Sequence, residues 1–548
     1  MNMIDYAETR RAFRLRVTPE FHYPRDVIDV WAARHPSKTA LVAVGPSGER
    51  RREYSFGDIA RASNRVANAL SGMGVTPGDR AFVMLPRIPE WYELLVGMFR
   101  AGVVPMPGTI LLTPRDIEYR VNQAEASIVV TDRDNVSKVE EILDRCPTVE
   151  HLIVVGEQPS GSWTSHADLL AGASDAAPDA RPTSRDDPLL IYFTSGTVAY
   201  PKMVLHTHAS YGAGHELTAR FWQDLTQKDL HWTISDTGWA KAAWGKLFGQ
   251  WILGAAVFLW DQRGRMDPEL CLRILQESGV TTFCAPPTLY RGFVLLDLKK
   301  YDFGRIRHSI SAGEPLNPEV IKLWKAATGS TIYDGYGQTE TVNLVANFPC
   351  IPVKPGSMGR PVPGFDVDVI DDEANRLAAG VEGNIAVKVN PKRPVGLFKE
   401  YWRDLDATSA VFRHGWYFTG DRATRDEDGY LWFVGRSDDV IISASYRIGP
   451  FEVESALVEH PAVAESAVVA KPDDERTSIV KAFVVLAPGY QASEALAKEL
   501  QEHCTRVTAP YKYPREIEFV SELPKTISGK IRRVELRARA AGLSQSPK

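Results

Sequence analysis

"YFTSGTVAYPKM", residues 192–203, decides how this chain is read. Thr194, Ser195 and Thr197 supply hydroxyls, and Gly196 lets backbone N–H groups come close to an anion. Lys202 adds a mobile positive charge, and "LLIYF" just before the loop reads as a strand. The glycine-to-lysine span matches a Walker-type loop, which launches a helix through its lysine and places the next hydroxyl on a metal ion. Here Pro201 has no N–H and holds Tyr200 away from helical angles, and Met203 has no hydroxyl. The stretch therefore implies a strand-to-loop phosphate site that does not cap a helix, with any metal held elsewhere. Read alone, it is also compatible with a Ser/Thr turn carrying a solvated lysine.

Upstream, residues 26–150 alternate helix and strand patterns. "SFGDIARASNRVANALSGMGV" has apolar residues at helical spacing, with Ser55 and Asp58 placed to cap it. "RAFVML" (80–85) and "ASIVVTD" (126–132) read as strands, and "PEWYELLVGMFRAG" as a helix closed by Gly102. Such alternation builds βαβ units on a largely parallel sheet. Residues 157–188, rich in Ser, Ala, Asp and Pro, read as a loop. Downstream the strands "AAVFLW" and "TTFCAPP" flank the helix "PELCLRILQESG". From about 351 short Gly/Pro-rich strands predict a small β-rich subdomain. After 436 a helix, two strands, another helix and a basic tail form a separate α+β unit. The expected organisation is α/β: a large N-terminal domain over 1–435 and a small α+β domain over 436–548, which the resemblance described below implies is mobile.

The chain has 548 residues and a formal net charge of −5, which gives no reason to expect a nucleic-acid or anionic-membrane partner. Its five cysteines are scattered, with no CxxC pair, which suits a reducing compartment. The first residues lack the apolar core of a secretory signal, and no 18-residue uncharged apolar run is present. These features together lead to the expectation of a cytoplasmic protein.

Five further motifs follow the loop in order: "SAGEPL" (311–316), "DGYGQTE" (334–340), "YFTGD" (417–421), "GRSDDVIISASYRIGPFEVE" (435–454) and "PKTISGKIRR" (524–533). Each alone is a turn or a charged tail. In this order the chain resembles, over essentially its whole length, the adenylate-forming superfamily of acyl-CoA synthetases, luciferases and peptide-synthetase adenylation domains. "SDTGWAKAAWGK" (235–246) and "CAPPTLYR" (284–291) look most like its medium-chain acyl-CoA synthetases, branched-acyl relatives included.

The resemblance implies ATP, Mg²⁺ and coenzyme A, with a carboxylic acid as the activated substrate. The loop of Thr194, Ser195, Gly196, Thr197 and Lys202 would hold the β- and γ-phosphates. Gly313, Glu314 and Pro315 would wall the adenine, and Asp334, Gly335, Tyr336, Gly337 and Gln338 would line the nucleotide, with Tyr336 flat against the base. Thr339 would donate to the α-phosphate, and Glu340 would hold Mg²⁺, a hard ion that prefers oxygen. Asp421 and Arg436 would take the ribose hydroxyls. Lys530 is the implied catalytic cation of the adenylation step. Asp438 matches a hinge about which the small domain rotates, bringing Ser445, Tyr446 and Arg447 to the thioester step. Arg476 and Lys512 match positions near the CoA phosphates. Trp239, Lys241 and Trp244 lie in an aromatic-rich helix assigned to the acyl site, where bulky indoles favour short, medium or branched acids. Three positions depart from the family pattern: Ala199 and Ser445 stand where glycine is usual, and Leu111 where medium-chain relatives carry glutamine.

The implied activity is an AMP-forming acyl-CoA ligase. Two alternatives share its chemistry: an aryl-acid CoA ligase, and an adenylating enzyme that loads a carrier protein. The implied partners are small molecules only, and the oligomeric state is left open, a homo-oligomer included.

Overall fold

The helix–strand alternation over 26–150 builds five parallel strands in the spatial order Val104–Gly108, Arg80–Met84, Ile128–Asp132, His151–Val155, Trp163–Ser165. This is a computed structural model. It describes residues 1–542 except 158–160, 180–181, 195–200, 265, 444–445, 474–475, 510 and 527–529, and only the backbone at Arg50, Arg51 and Arg447. Ser55 caps the helix Phe56–Gly72 by accepting from the Asp58 N–H, while the Asp58 carboxylate accepts from the Ser55 N–H. Gly102 ends the helix Pro89–Ala101 with φ at 75°, a left-handed turn that costs glycine nothing.

The strand Trp163–Ser165 and the helix His166–Ala171 fall within the stretch that reads as loop. Trp163 is buried and its strand pairs with Leu152–Val154, so long-range pairing outweighs a loop-like composition. Ser165 and Asp168, which look like loop residues, form a helix cap.

A second sheet of nine strands runs Arg360–Pro361, Val345–Ala346, Ile332–Tyr336, His308–Ala312, Thr282–Ala285, Leu230–Thr233, Ala256–Trp260, Thr39–Val44, Arg50–Ser55. From Ile332–Tyr336 to Thr39–Val44 its ladders are parallel, and the strands beyond are antiparallel. A three-stranded sheet sets Pro188–Phe193 against Met203–Thr207, with Glu400–Tyr401 on the far edge. After Lys202 the chain thus enters a strand, not a helix, in keeping with the proline at 201.

The β-rich part beyond 351 is the antiparallel set Val367–Ile370, Gly383–Lys388, Trp416–Arg425 and Phe412–Arg413, with Leu431–Arg436 also pairing to Trp416–Arg425. The smaller C-terminal domain packs the helices Pro450–Val458 and Glu494–Val507 on the sheet Val463–Asp473, Thr477–Leu486, Glu516–Phe519. Its last helix, Arg533–Ala540, is tied down by three of its arginines. Arg533 donates to both Glu454 oxygens at 2.6 and 2.8 Å, Arg537 pairs with Asp439, and Arg539 pairs with Glu518. Among the described residues, no helix is long and apolar enough to cross a membrane.

Candidate active site

The parallel strands of the nine-stranded sheet end at a common edge, where α/β sheets place their ligands. His308–Ala312 delivers Gly313, Glu314 and Pro315, and Ile332–Tyr336 delivers Gly337 to Glu340. Gly313 has φ at 108°. Glu314 accepts from Thr288 Oγ1 at 3.1 Å and pairs with Arg291 at 3.5 Å, which fixes its carboxylate beside the turn.

Asp421 and Arg436 stand opposite each other in one antiparallel ladder. Asp421 is 6% exposed, and its Oδ2 accepts from Tyr336 Oη at 2.6 Å and from Gln338 Nε2 at 2.7 Å. Gln338 also donates to the Thr419 carbonyl and accepts from Tyr417 Oη, each at 2.8 Å. These bonds tie the end of one sheet to the middle of another. Asp421 Oδ1 keeps no hydrogen bond among the described residues. Burial raises the Asp421 pKa, while Arg436 and the bonds to Oδ2 oppose the rise.

Glu340 is half-buried, and its Oε1 accepts from Tyr401 Oη at 2.8 Å. Burial raises the Glu340 pKa and the Tyr401 bond lowers it. The Lys202 ammonium lies 4.6 Å from the centroid of the same Tyr401 ring. Thr194 and Lys202 close the neck of the loop: Thr194 N–H donates to the Lys202 carbonyl at 2.9 Å and Lys202 N–H to Thr194 Oγ1 at 3.0 Å. Ser195, Gly196, Thr197 and Ala199 lie outside the described residues.

Thr339 is held from behind. Its carbonyl accepts from Tyr211 Oη at 2.6 Å and from His206 Nε2 at 2.8 Å. Burial drives the His206 pKa to about 3, so the ring is neutral and donates from Nε2 to this carbonyl. Asp334 lies beneath the cleft, 7% exposed, with Oδ1 accepting from the Gly335 N–H at 3.0 Å.

The aromatic segment is two short helices, Ala240–Lys246 and Phe248–Ile252, broken where Leu247 leaves helical angles. Trp239 is the N-cap of the first and is half-buried. Trp244 packs on the nucleotide motif: a Cβ built on Gly337 would stand 2.3 Å from its ring and 2.6 Å from the Val342 carbonyl oxygen. Only glycine admits this approach. Lys241 Nζ donates to the Ala312 carbonyl at 2.9 Å. Its side chain lines the cleft, surrounded by protein yet partly accessible, and this burial lowers its pKa. Lys530 is exposed, and its charge reaches both Lys241 and Asp421 from the C-terminal domain.

The remaining positions, Leu111 apart, lie on the C-terminal domain. Tyr446 stacks on Tyr511 at 4.2 Å, and Lys512 pairs with Glu452. Asp438 is exposed, 3.4 Å from Arg436 Nε. Arg476 donates its backbone N–H to Asp473, and the Arg447 backbone pairs with Ile442. Ser445 lies outside the described residues. Leu111 is exposed.

Four side chains that hold this cleft, Tyr401, Tyr417, His206 and Tyr211, were not among the expected site residues. Each acts through a partner 60 or more positions away in sequence. The one local trace is "FKEYW" (398–402), whose Tyr401 faces Val204 across a strand pair.

A family model described as the AMP-binding enzyme matches residues 28–402, and one described as the AMP-binding enzyme C-terminal domain matches 452–530. The chain is 45% identical over 544 residues to the human mitochondrial acyl-coenzyme A synthetase ACSM3, covering 98% of this chain and 92% of that protein. It is 46% identical over 525 residues to the rat mitochondrial acyl-coenzyme A synthetase ACSM4, covering 94% and 90%. The crystal structure of the anthranilate CoA ligase AuaEII in complex with anthranoyl-AMP superposes with a TM-score of 0.88 at 31% identity, covering 96% of this chain and 98% of that one. The cytoplasmic expectation is overturned here, because these curated relatives are mitochondrial. Scattered free cysteines report a reducing environment and do not tell one reducing compartment from another.

Proposed function

The chain belongs to the AMP-binding enzyme family, and from that premise we propose how its cleft divides the work. The enzyme is an AMP-forming acyl-CoA synthetase. A carboxylate oxygen attacks the α-phosphorus of ATP and the bond to diphosphate breaks. The CoA sulfur, its proton given up, then attacks the acyl carbonyl and the bond to AMP breaks. Little covalent work falls to the protein, so positioning and charge do most of it.

The reading rests on one observation: among the described residues Asp421 Oδ1 makes no hydrogen bond while Oδ2 is held by Tyr336 and Gln338, with the Lys530 charge in reach. Asp421 takes the ribose hydroxyls through Oδ1, supported by Arg436. Tyr336 and the Gly313–Glu314–Pro315 turn bracket the adenine. Thr194 and Lys202 face the leaving diphosphate. Thr339, its backbone fixed by His206 and Tyr211, presents its hydroxyl to the α-phosphate. Lys530 neutralises charge between the attacking carboxylate and the α-phosphate.

Glu340 fits Mg²⁺, which is held by one or two carboxylates plus substrate phosphates. It is a half-buried carboxylate with one oxygen committed to Tyr401. Bound there, the ion would offset phosphate charge. The domain after 436 turns about Asp438 between the two steps, exchanging Lys530 for the Ser445–Tyr446–Arg447 segment, with Arg476 and Lys512 toward the CoA phosphates.

Trp239 and Trp244 bound the acyl site and favour medium-chain over long acids. The identity to acyl-CoA synthetases, 45% against 31% for the anthranilate ligase, supports an aliphatic acid. The test is pyrophosphate exchange over aliphatic, branched and aromatic acids, repeated with CoA consumption as readout. Medium-chain acids should lead in both. Exchange that leads with benzoate, or exchange without CoA consumption, overturns the assignment.

A further inference from the structure

Trp239 bounds the proposed acyl site, yet the helix it caps does little to hold it there. That helix, Ala240–Lys246, has 7 residues, and Trp239 caps it without a side-chain bond. The Trp239 N–H reaches the Asp236 carbonyl only at 3.4 Å. So short a helix does not fix its own first turn. The indole is therefore placed by the turn that precedes it, residues 235–238, and that turn is held from the other sheet.

Arg87 makes the main bridge. It follows the strand Arg80–Met84 at the edge of the five-stranded sheet, and its side chain is 19% exposed. Nε donates to the Ser235 carbonyl at 3.1 Å. Nη1 donates to the Gln262 carbonyl and to Gln262 Oε1, both at 2.9 Å, and Nη2 lies 3.7 Å from Asp236 Oδ2. Ser235 follows the strand Leu230–Thr233, and Gln262 follows its neighbour Ala256–Trp260. One planar fork thus spans the ends of two adjacent strands, which the single nitrogen of a lysine cannot do.

Two further contacts press the same turn onto the five-stranded sheet. Thr237 is buried and donates Oγ1 to the Leu85 carbonyl at 2.6 Å. A Cβ built on Gly238 would stand 2.1 Å from the Thr109 nitrogen and 2.4 Å from the Gly108 carbonyl carbon, so backbone meets backbone there. Asp236, which faces Arg87 with Oδ2, accepts from the Gly238 N–H with Oδ1 at 2.9 Å and closes the turn. Just past Trp239 the chain is held again, by the Lys241 bond to the Ala312 carbonyl. The indole thus leaves the chain between an anchor on the five-stranded sheet and an anchor beside the Gly313 turn.

We propose that Arg87 is a positioning residue for acid selection: by clamping Ser235 and Asp236 to the five-stranded sheet it fixes where Trp239 stands, and so sets the length of acid the cleft accepts. The proposal rests on the reading that Trp239 bounds the acyl site. Arg87 touches neither acid nor nucleotide in this scheme and acts only through the turn. Releasing the turn lets the indole give way, so longer acids gain while octanoate loses part of its fit.

The test measures kcat and KM in pyrophosphate exchange for octanoate and dodecanoate, with the full-length enzyme and its variants. Arg87→Met should raise the dodecanoate-to-octanoate ratio of kcat/KM about tenfold, the size of one charged hydrogen bond. The change should come through a higher KM for octanoate at an unchanged KM for ATP. Arg87→Lys should fall between Arg87→Met and the wild type. A clamp that served stability alone would lower both acids equally and leave the ratio where it was, which overturns the proposal. Trp239→Ala should move the ratio the same way, and adding Arg87→Met to it should move it no further. If Arg87→Met does not fold, Thr237→Val, which removes the Leu85 bond, should shift the ratio in the same direction by a smaller factor. A ratio moved by Trp239→Ala but by neither Arg87→Met nor Thr237→Val overturns the positioning role and leaves the acyl site in place. A ratio unmoved by Trp239→Ala overturns the acyl-site reading, and the positioning role with it.

Discussion

Tyr401 donates its hydroxyl to Glu340 Oε1 at 2.8 Å, while its ring carries the Lys202 ammonium at 4.6 Å. One side chain thus links the carboxylate proposed for the metal to the lysine proposed for the diphosphate. Tyr401→Phe keeps the ring and removes only the hydrogen bond. Burial already raises the Glu340 pKa, and this bond is what lowers it. Losing the bond moves the pKa further up, so less carboxylate is ionised at any acidic pH. The acid limb of the pyrophosphate-exchange profile should shift to higher pH, with exchange below neutrality falling about tenfold for about 1.4 kcal/mol. A superimposable acid limb would remove Tyr401 from the site.

Gly337→Ala tests the floor of the acyl site. The new Cβ would stand 2.3 Å from the Trp244 ring and 2.6 Å from the Val342 carbonyl oxygen. The ring can shift, but the backbone oxygen gives less. Chemical denaturation should show a loss of about 1–3 kcal/mol, the range for overpacking. Adding Trp244→Phe should recover part of it, giving a non-additive pair. Wild-type stability in the single variant would refute the close approach.

Lys530→Ala separates the two half-reactions. Acid-dependent pyrophosphate exchange should vanish while thioester formation from supplied acyl-AMP survives. Loss of both would refute the division of roles.

Arg533 anchors the last helix to Glu454 three residues after Lys530, at 2.6 and 2.8 Å. Arg533→Met should cost about 1–3 kcal/mol, below the value for a fully buried pair because 24% of the Arg533 side chain remains in solvent. With its anchor gone, the Lys530 segment loosens. Adenylation should therefore fall more than thioester formation, measured as separate half-reactions. Equal losses would mean that the anchor serves stability alone.

His231 sets a pH dependence of stability. It lies between Thr282 Oγ1 at 2.7 Å and Thr233 Oγ1 at 2.8 Å, and burial lowers its pKa to about 3. The folded state binds no proton here above about pH 3, while the unfolded imidazole binds one below about 6.5. Its contribution is thus fully present above about pH 6.5 and is lost as pH falls. Glu93, raised by burial to about 7, works in the opposite direction, so a difference measurement is needed. His231→Gln should reduce the slope of stability against pH between 6 and 4.5 by about 1.4 kcal/mol per unit. An unchanged slope would mean that the folded protein protonates His231.

The sequence showed what is local. The Ser55–Asp58 cap, the Gly102 stop and the strands around them could be read because caps and periodicity act over a few residues. The resemblance grouped Asp421, Tyr336 and Gln338 as nucleotide residues, and in the structure Tyr336 and Gln338 both donate to Asp421. The strand Trp163–Ser165 was missed because its pairing with His151–Val155, not its composition, makes it a strand. Tyr401, His206 and Tyr211 were missed for the same reason. Their meaning lies in neighbours far along the chain, which no local pattern encodes.

The small sheet that carries Lys202 has a consequence for biosynthesis. Its edge strand, Glu400–Tyr401, comes almost two hundred residues after Met203–Thr207, and Asp421 comes later still. A growing polypeptide cannot complete this cleft until translation has passed residue 421. Earlier lengths leave the Met203–Thr207 edge without its third strand, an open template for another chain. The interval between making these two segments is when the nascent protein most needs a chaperone, and when nucleotide can give it no help.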